Sequence, residues 1–198
     1  MATTVTLIAY SPLGPAWLKG RVVGALICGT FGGVWMFQAV FFGGIATPLS
    51  LTLVSLVTVV AIAWPVMRLR SFRGYRSTAA DRERWAAVKV PYWVNSAIEW
   101  TLCSVAAFWL ARIGRYAFIP ECLGVIIGLH FLPLGKMFRS PVYYLTGVVM
   151  VVGSLAALML QAEHIRNIAA FGLNGLVLWG TAAVILRRDW LSKREEEN

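Results

Sequence analysis

Glu99 and His130 each stand inside an apolar run, in VPYWVNSAIEWTLCSVAAFWLAR and FIPECLGVIIGLHFLPLG. An ionisable side chain within hydrocarbon costs at least a few kcal/mol, so it usually faces the bundle interior or a water-filled cavity. A carboxyl beside an imidazole can relay protons, contribute to a metal site or form a neutral hydrogen bond. Asn95 lies one helical turn before Glu99 and Cys103 one turn after it, so the three share one face as a polar stripe. A structural explanation stands beside the functional one: Asn95 and Glu99 can stitch their helix to a neighbour by hydrogen bonds.

Depth brings the two runs into register. Counted from Pro91, Glu99 sits about 12 Å into its span at 1.5 Å per residue. A hairpin turning near Gly114 puts Gly128 at the level of Glu99, with His130 within about 3 Å of that level. Asn95, Glu99 and His130 are therefore the candidate substrate or proton site. Gly124 and Gly128 form a small-xxx-small pair that lets another helix approach closely.

Three further polar residues lie in apolar runs: Glu121, Gln38 and Asn174. Glu121 follows Pro120 near a span end, where Arg112 or Arg115 of the connecting turn is its expected partner. A vestibule carboxylate is the functional alternative. Nine positions separate it from His130, about 180° around a helix, so the two cannot share one surface. Gln38 and Asn174 can join a central polar cluster or make interhelical hydrogen bonds. His164 and Glu163 fall in the hydrophilic segment QAEHIRN, where solvation is the simpler expectation.

No metal, cofactor or recognisable catalytic motif is expected. The sequence lacks GxSxG, a Walker-type loop, HExxH and CxxCH. Cys28, Cys103 and Cys122 are widely spaced within apolar runs, so they are read as small buried side chains. With no nucleophile and base in evidence, an enzyme is the least favoured class.

The elements that must hold these residues are membrane helices. Of 198 residues, 59% are hydrophobic and 14% charged, with a mean hydropathy of +0.70. Soluble domains have about 45–50% and about 25%. Six runs approach the roughly 20 apolar residues a spanning helix needs: about 22–43, 48–66, 91–111, 117–134, 142–160 and 168–186. A basic loop, 67–90, separates the second and third, with a short surface helix capped by Ser77 or Thr78 and reaching Lys89. Pro12, Gly14 and Pro15 are expected to break any helix in the first segment, and the polar tail 187–198 to fray. The first twenty residues lack the features of a cleaved signal peptide, so the first apolar run is expected to be a retained span.

The chain carries a net charge of +9, and its cations sit in the connections rather than in one nucleic-acid-binding face. Fifteen of the eighteen lysines and arginines fall on the side of the N-terminus; only Arg112, Arg115 and Arg166 fall on the other. The positive-inside rule then predicts both termini inside. Trp17, Trp64, Trp93, Trp109, Tyr116, Tyr143 and Trp190 lie near span ends, where amphipathic rings favour the interface.

Gly128, Leu129, His130, Phe131, Pro133 and Leu134 make a G-[aliphatic]-H-F-x-P-[aliphatic] segment. It resembles a segment of small, uncharacterised bacterial multi-pass membrane proteins, and the resemblance implies a fold class without an activity. Pro133 is expected to kink or end the fourth span beside His130.

The sequence thus predicts an all-α, polytopic six-helix bundle in one membrane domain of a bacterial-type plasma membrane, with both termini inside. The expected function is a small transporter or channel-like protein for an ion or small molecule. The alternative is a scaffold or receptor-like protein whose Arg73, Arg76, Arg82 and Arg84 meet anionic lipid or a partner. A glycine-rich first span leaves room for a homodimer.

Overall fold

The computed structural model describes residues 15–73, 76 and 78–197, and the side chains of 19–187 among them. Ser77, Trp17, Trp190, Arg188, Lys193, Arg194 and the segment before Pro15 lie outside what is described of side chains or backbone.

The described chain forms six helices and no strand. They are α1 (Pro15–Phe42), α2 (Pro48–Arg70), α3 (Ala79–Arg112), α4 (Ile119–Met137), α5 (Pro141–Ala157) and α6 (Glu163–Glu197). Five are long and apolar enough to cross a membrane; α5, at 17 residues, is shorter.

Local sequence sets the helix ends. Thr47 caps α2 in a reciprocal box with Ser50, and Pro48 occupies the first turn, where its missing N–H costs nothing. Thr78 caps α3 with Asp81 in the same way. Gly114, at φ +72°, takes the left-handed conformation that turns the chain from α3 toward α4.

Three expectations are corrected or narrowed. The surface helix and the third span are one 34-residue helix, α3, with Pro91 inside it. Proline removes one backbone donor, which a long helix can absorb. Pro133 likewise lies within α4, which continues to Met137, so of the two outcomes expected there, a kink or an end, the helix does not end. The polar tail does not fray: the backbone of α6 stays helical to Glu197.

Packing runs in the order α2, α1, α6, α5, α4, α3. Close approaches occur where side chains are small. A Cβ on Gly29 would meet the backbone of Ala61, and one on Gly128 would lie 2.9 Å from the Gly147 carbonyl. Three glycines of α1 approach neighbours within the chain: Gly29 and Gly33 against α2, and Gly32 against Trp179 of α6. Gly124 and Gly128 admit α5, with Ser154 and Val151 against them.

Burial concentrates in α1, α4, α5 and α6, around Ala25, Trp35, Met150, Phe171 and Ile185. By contrast α3 buries none of its residues, and α2 buries only Val54 and Pro65. Leu49, Leu56, Val59, Trp93, Trp100 and Phe108 stand outward, each more than half exposed. A helix apolar on all sides with that much outward surface has lipid as its natural solvent.

Candidate functional site

The gap between α1 and α3, backed by α4 and α6, encloses a cavity of about 520 Å³. Three helices present one stripe each, and each stripe has the 4-3-4 spacing that keeps residues on one face. On α1 it is Gly24, Cys28, Phe31, Trp35 and Gln38; on α3 Tyr92, Ser96, Glu99 and Cys103. On α4 it is Leu123, Ile127, His130 and Leu134. From Gly24 to Gln38 the cavity runs about 21 Å along α1 at 1.5 Å per residue. The rings of Phe31 and Trp100 meet edge-on across the gap, 6.5 Å between centroids.

Glu99 and His130 meet on this wall. Glu99 Oε2 lies 3.2 Å from His130 Nδ1. Asn95 Nδ2 lies 2.9 Å from the same Nδ1 and 3.2 Å from the His130 carbonyl oxygen. The α3–α4 hairpin thus brings all three candidate residues together, at the depth the turn at Gly114 dictates.

These distances constrain the proton. Asn95 has two N–H bonds and can donate one to each acceptor of His130. An unprotonated Nδ1 has one lone pair, so Asn95 and a protonated Glu99 compete for it; where Glu99 donates its proton there, Asn95 keeps the His130 carbonyl oxygen. Alternatively Nδ1 carries the proton and donates to a Glu99 carboxylate. A carboxylate facing a bare nitrogen lone pair would repel it. Both arrangements in which Glu99 and His130 attract each other place one proton between Oε2 and Nδ1.

Glu121 belongs to a different environment. It is 1% exposed and faces Arg166 at the start of α6, with Nε 3.1 Å from Oε1. The expected partners Arg112 and Arg115 are not the ones it meets. The contact is one of charge rather than an aligned hydrogen bond, and neither carboxylate oxygen has a hydrogen-bond partner. Arg166 also donates from Nη2 to the Ala117 carbonyl at 3.3 Å and stacks over Phe118, 4.6 Å from its centroid. His130 lines the cavity and Glu121 does not, as their nine-residue spacing on one helix requires.

Asn174 also lies away from the cavity. It is fully buried and donates to Ser154 Oγ at 3.1 Å, leaving its Oδ1 without a partner. Gln38 does line the cavity, toward the opposite end from Tyr143. Tyr143, expected at a membrane interface, is 5% exposed and lines the cavity, and its hydroxyl fills the space a side chain on Gly24 would need. His164 is exposed. Arg73, Arg76, Arg82 and Arg84 are all exposed around the start of α3.

Sequence reading missed Ser96 and, among the aromatic wall residues, Phe31, Tyr92 and Phe131. Ser96 precedes Glu99 by three residues, so helical spacing alone could have placed it on the same stripe.

Residues 92–188 match a family of unknown function, DUF7010. The matched stretch holds Asn95, Glu99, His130, Glu121 and Arg166, and leaves out the α1 wall of the cavity. No curated protein and no solved structure matches the chain.

Proposed function

We propose that this protein is a small multi-pass transporter or channel-like protein of the plasma membrane, with Glu99, His130 and Asn95 as its proton or substrate site. What supports this reading is one arrangement: two ionisable side chains 3.2 Å apart on the wall of a cavity that runs along much of the bundle. Such groups at membrane depth commonly mark proton relays and ion pathways.

Six spans fit the hairpin connectivity. Helix α5, about 26 Å long at 1.5 Å per residue, must return the chain from the end of α4 to the start of α6. Both termini lie inside on the positive-inside rule, which places the polar site in the inner half.

The test uses the purified chain in vesicles loaded with a pH-sensitive dye, with a potassium diffusion potential as the driving force. The wild-type protein should carry protons, and Glu99→Gln and His130→Ala should each abolish or shift the pH dependence of that flux. Unchanged flux in both variants would overturn the mechanism.

A second reading, a non-transporting scaffold, is favoured by the exposure of Arg73, Arg76, Arg82 and Arg84. An exposed arginine near an anionic surface contributes about 1 kcal/mol. Replacing all four by Gln should release the α2–α3 connection from phosphatidylserine surfaces. Binding unchanged by the replacement would remove that support.

A further inference from the structure

We infer that the α1–α3 cavity binds an amphiphilic organic cation, with Glu99 as its counter-charge, and that each cation bound displaces the proton shared by Glu99 and His130. The inference rests on the proposed transport site and names its substrate class.

The walls argue for this chemistry. Phe31, Trp35, Tyr92, Trp100, Phe131 and Tyr143 all line the cavity. Ring faces attract cations, and the attraction grows where water is scarce. Among the described residues, Glu99 is the single carboxylate on the lining, which includes no lysine or arginine. A volume of about 520 Å³ lies within the range of small-molecule sites, roughly 300–1,000 Å³. An inorganic ion would want converging oxygen ligands, whereas this lining is mainly apolar; a bulky cation with a hydrophobic body uses both the rings and the single charge.

Access also favours an amphiphile. Helix α3 buries no residue, and across the gap it meets α1 through the edge contact of Trp100 with Phe31. The cavity thus lies behind a thin aromatic seam beside exposed apolar surface. A ligand partitioned into the bilayer can reach it there.

Charge balance gives the coupling. Before binding, the pair is taken as a protonated Glu99 donating to Nδ1 of a neutral imidazole, with no net charge. A cation against Glu99 replaces the carboxyl proton, whose O–H bond breaks and which passes to water, so the net charge of the site is unchanged. The imidazole hydrogen moves from Nε2 to Nδ1, so that Nδ1–H faces the carboxylate. Other titratable groups on the lining are Cys28 of α1, Tyr92 and Cys103 of α3, and Tyr143 of α5. Lower pH should therefore weaken cation binding, by up to about tenfold per unit while one proton is displaced per cation.

The probes are tetraphenylphosphonium and tetraphenylborate, similar in shape and opposite in charge, titrated into the full chain in detergent and followed by tryptophan fluorescence. We expect saturable binding of the phosphonium at least about tenfold tighter than that of the borate, the ratio of one well-placed charge in a poorly solvated site. Glu99→Gln should remove that preference, and Trp100→Leu, on an exposed wall position, should weaken phosphonium binding with the charge preference intact. Equal affinities for the two probes, or a phosphonium affinity unmoved by pH and by Glu99→Gln, would overturn the inference. Proton flux that persists in vesicles while the phosphonium fails to bind would reject the organic cation and leave the transport reading standing. Loss of flux in wild-type vesicles would reject both.

Discussion

The molecule holds two carboxylates among apolar helices and treats them in opposite ways. Glu121 is sealed between α4 and α6 against a permanently charged guanidinium, with Phe118 over the cation. Glu99 stands at the wall of a cavity against an imidazole, a partner that can be neutral or charged. The first pair has no room to exchange a proton or a ligand, and its members suit a structural role. The second lies beside space, and its partner can take the proton. Burial alone therefore does not separate the two carboxylates; the partner's chemistry and the adjoining cavity do.

Three substitutions test that contrast, beginning with the largest effect. Arg166→Ala leaves Glu121 an uncompensated buried charge and should cost about 3–5 kcal/mol of stability. Denaturant titration in detergent measures it, and adding Glu121→Gln to the same chain should recover part of the loss. Full stability of the single variant would mean that the Glu121 pair is not the sealed element described. Ser154→Ala, which takes away the remaining partner of the buried Asn174 amide, should cost about 1–3 kcal/mol by the same titration. Smallest is Glu99→Gln, which keeps a hydrogen-bonding group beside His130 on a wall with space around it; we expect a change below about 1 kcal/mol, together with loss of proton flux. A destabilisation as large as that of Arg166→Ala would make Glu99 a second structural pair.

The difference between the two pairs also explains what could be read in advance. Glu99 and His130 lie on consecutive helices, and a short turn at Gly114 fixes how such helices slide past one another. Counting residues from the turn was therefore enough to match their depths and to include Asn95. Glu121 meets a residue on α6, which does not follow α4 in sequence, so no turn fixes that register; proximity in sequence pointed to Arg112 and Arg115 instead.

The apolar helices were legible because their length and composition are set by hydrocarbon, while their ends were less so. Pro91 reads as a helix start, since proline favours the first turn, yet the residues before it carry their own cap at Thr78 and their helix simply runs on. The cavity was visible only in fragments. Its 4-3-4 stripes are present in the sequence, but the pairing of the α1 stripe with the α3 stripe arises from how the whole bundle closes.

In the proposed site Glu99 and His130 share a proton. The chain has two histidines, and His164 is exposed and far from this pair in sequence. Nitrogen NMR of the histidine-labelled protein in lipid can therefore follow His130 against an internal reference. With a shared proton, Glu99→Gln should shift the Nδ1 resonance of His130 and alter its response to pH, while the His164 signals stay in place. A His130 resonance identical in the two proteins across the titration would contradict a shared proton and, with it, the role assigned to the cavity wall.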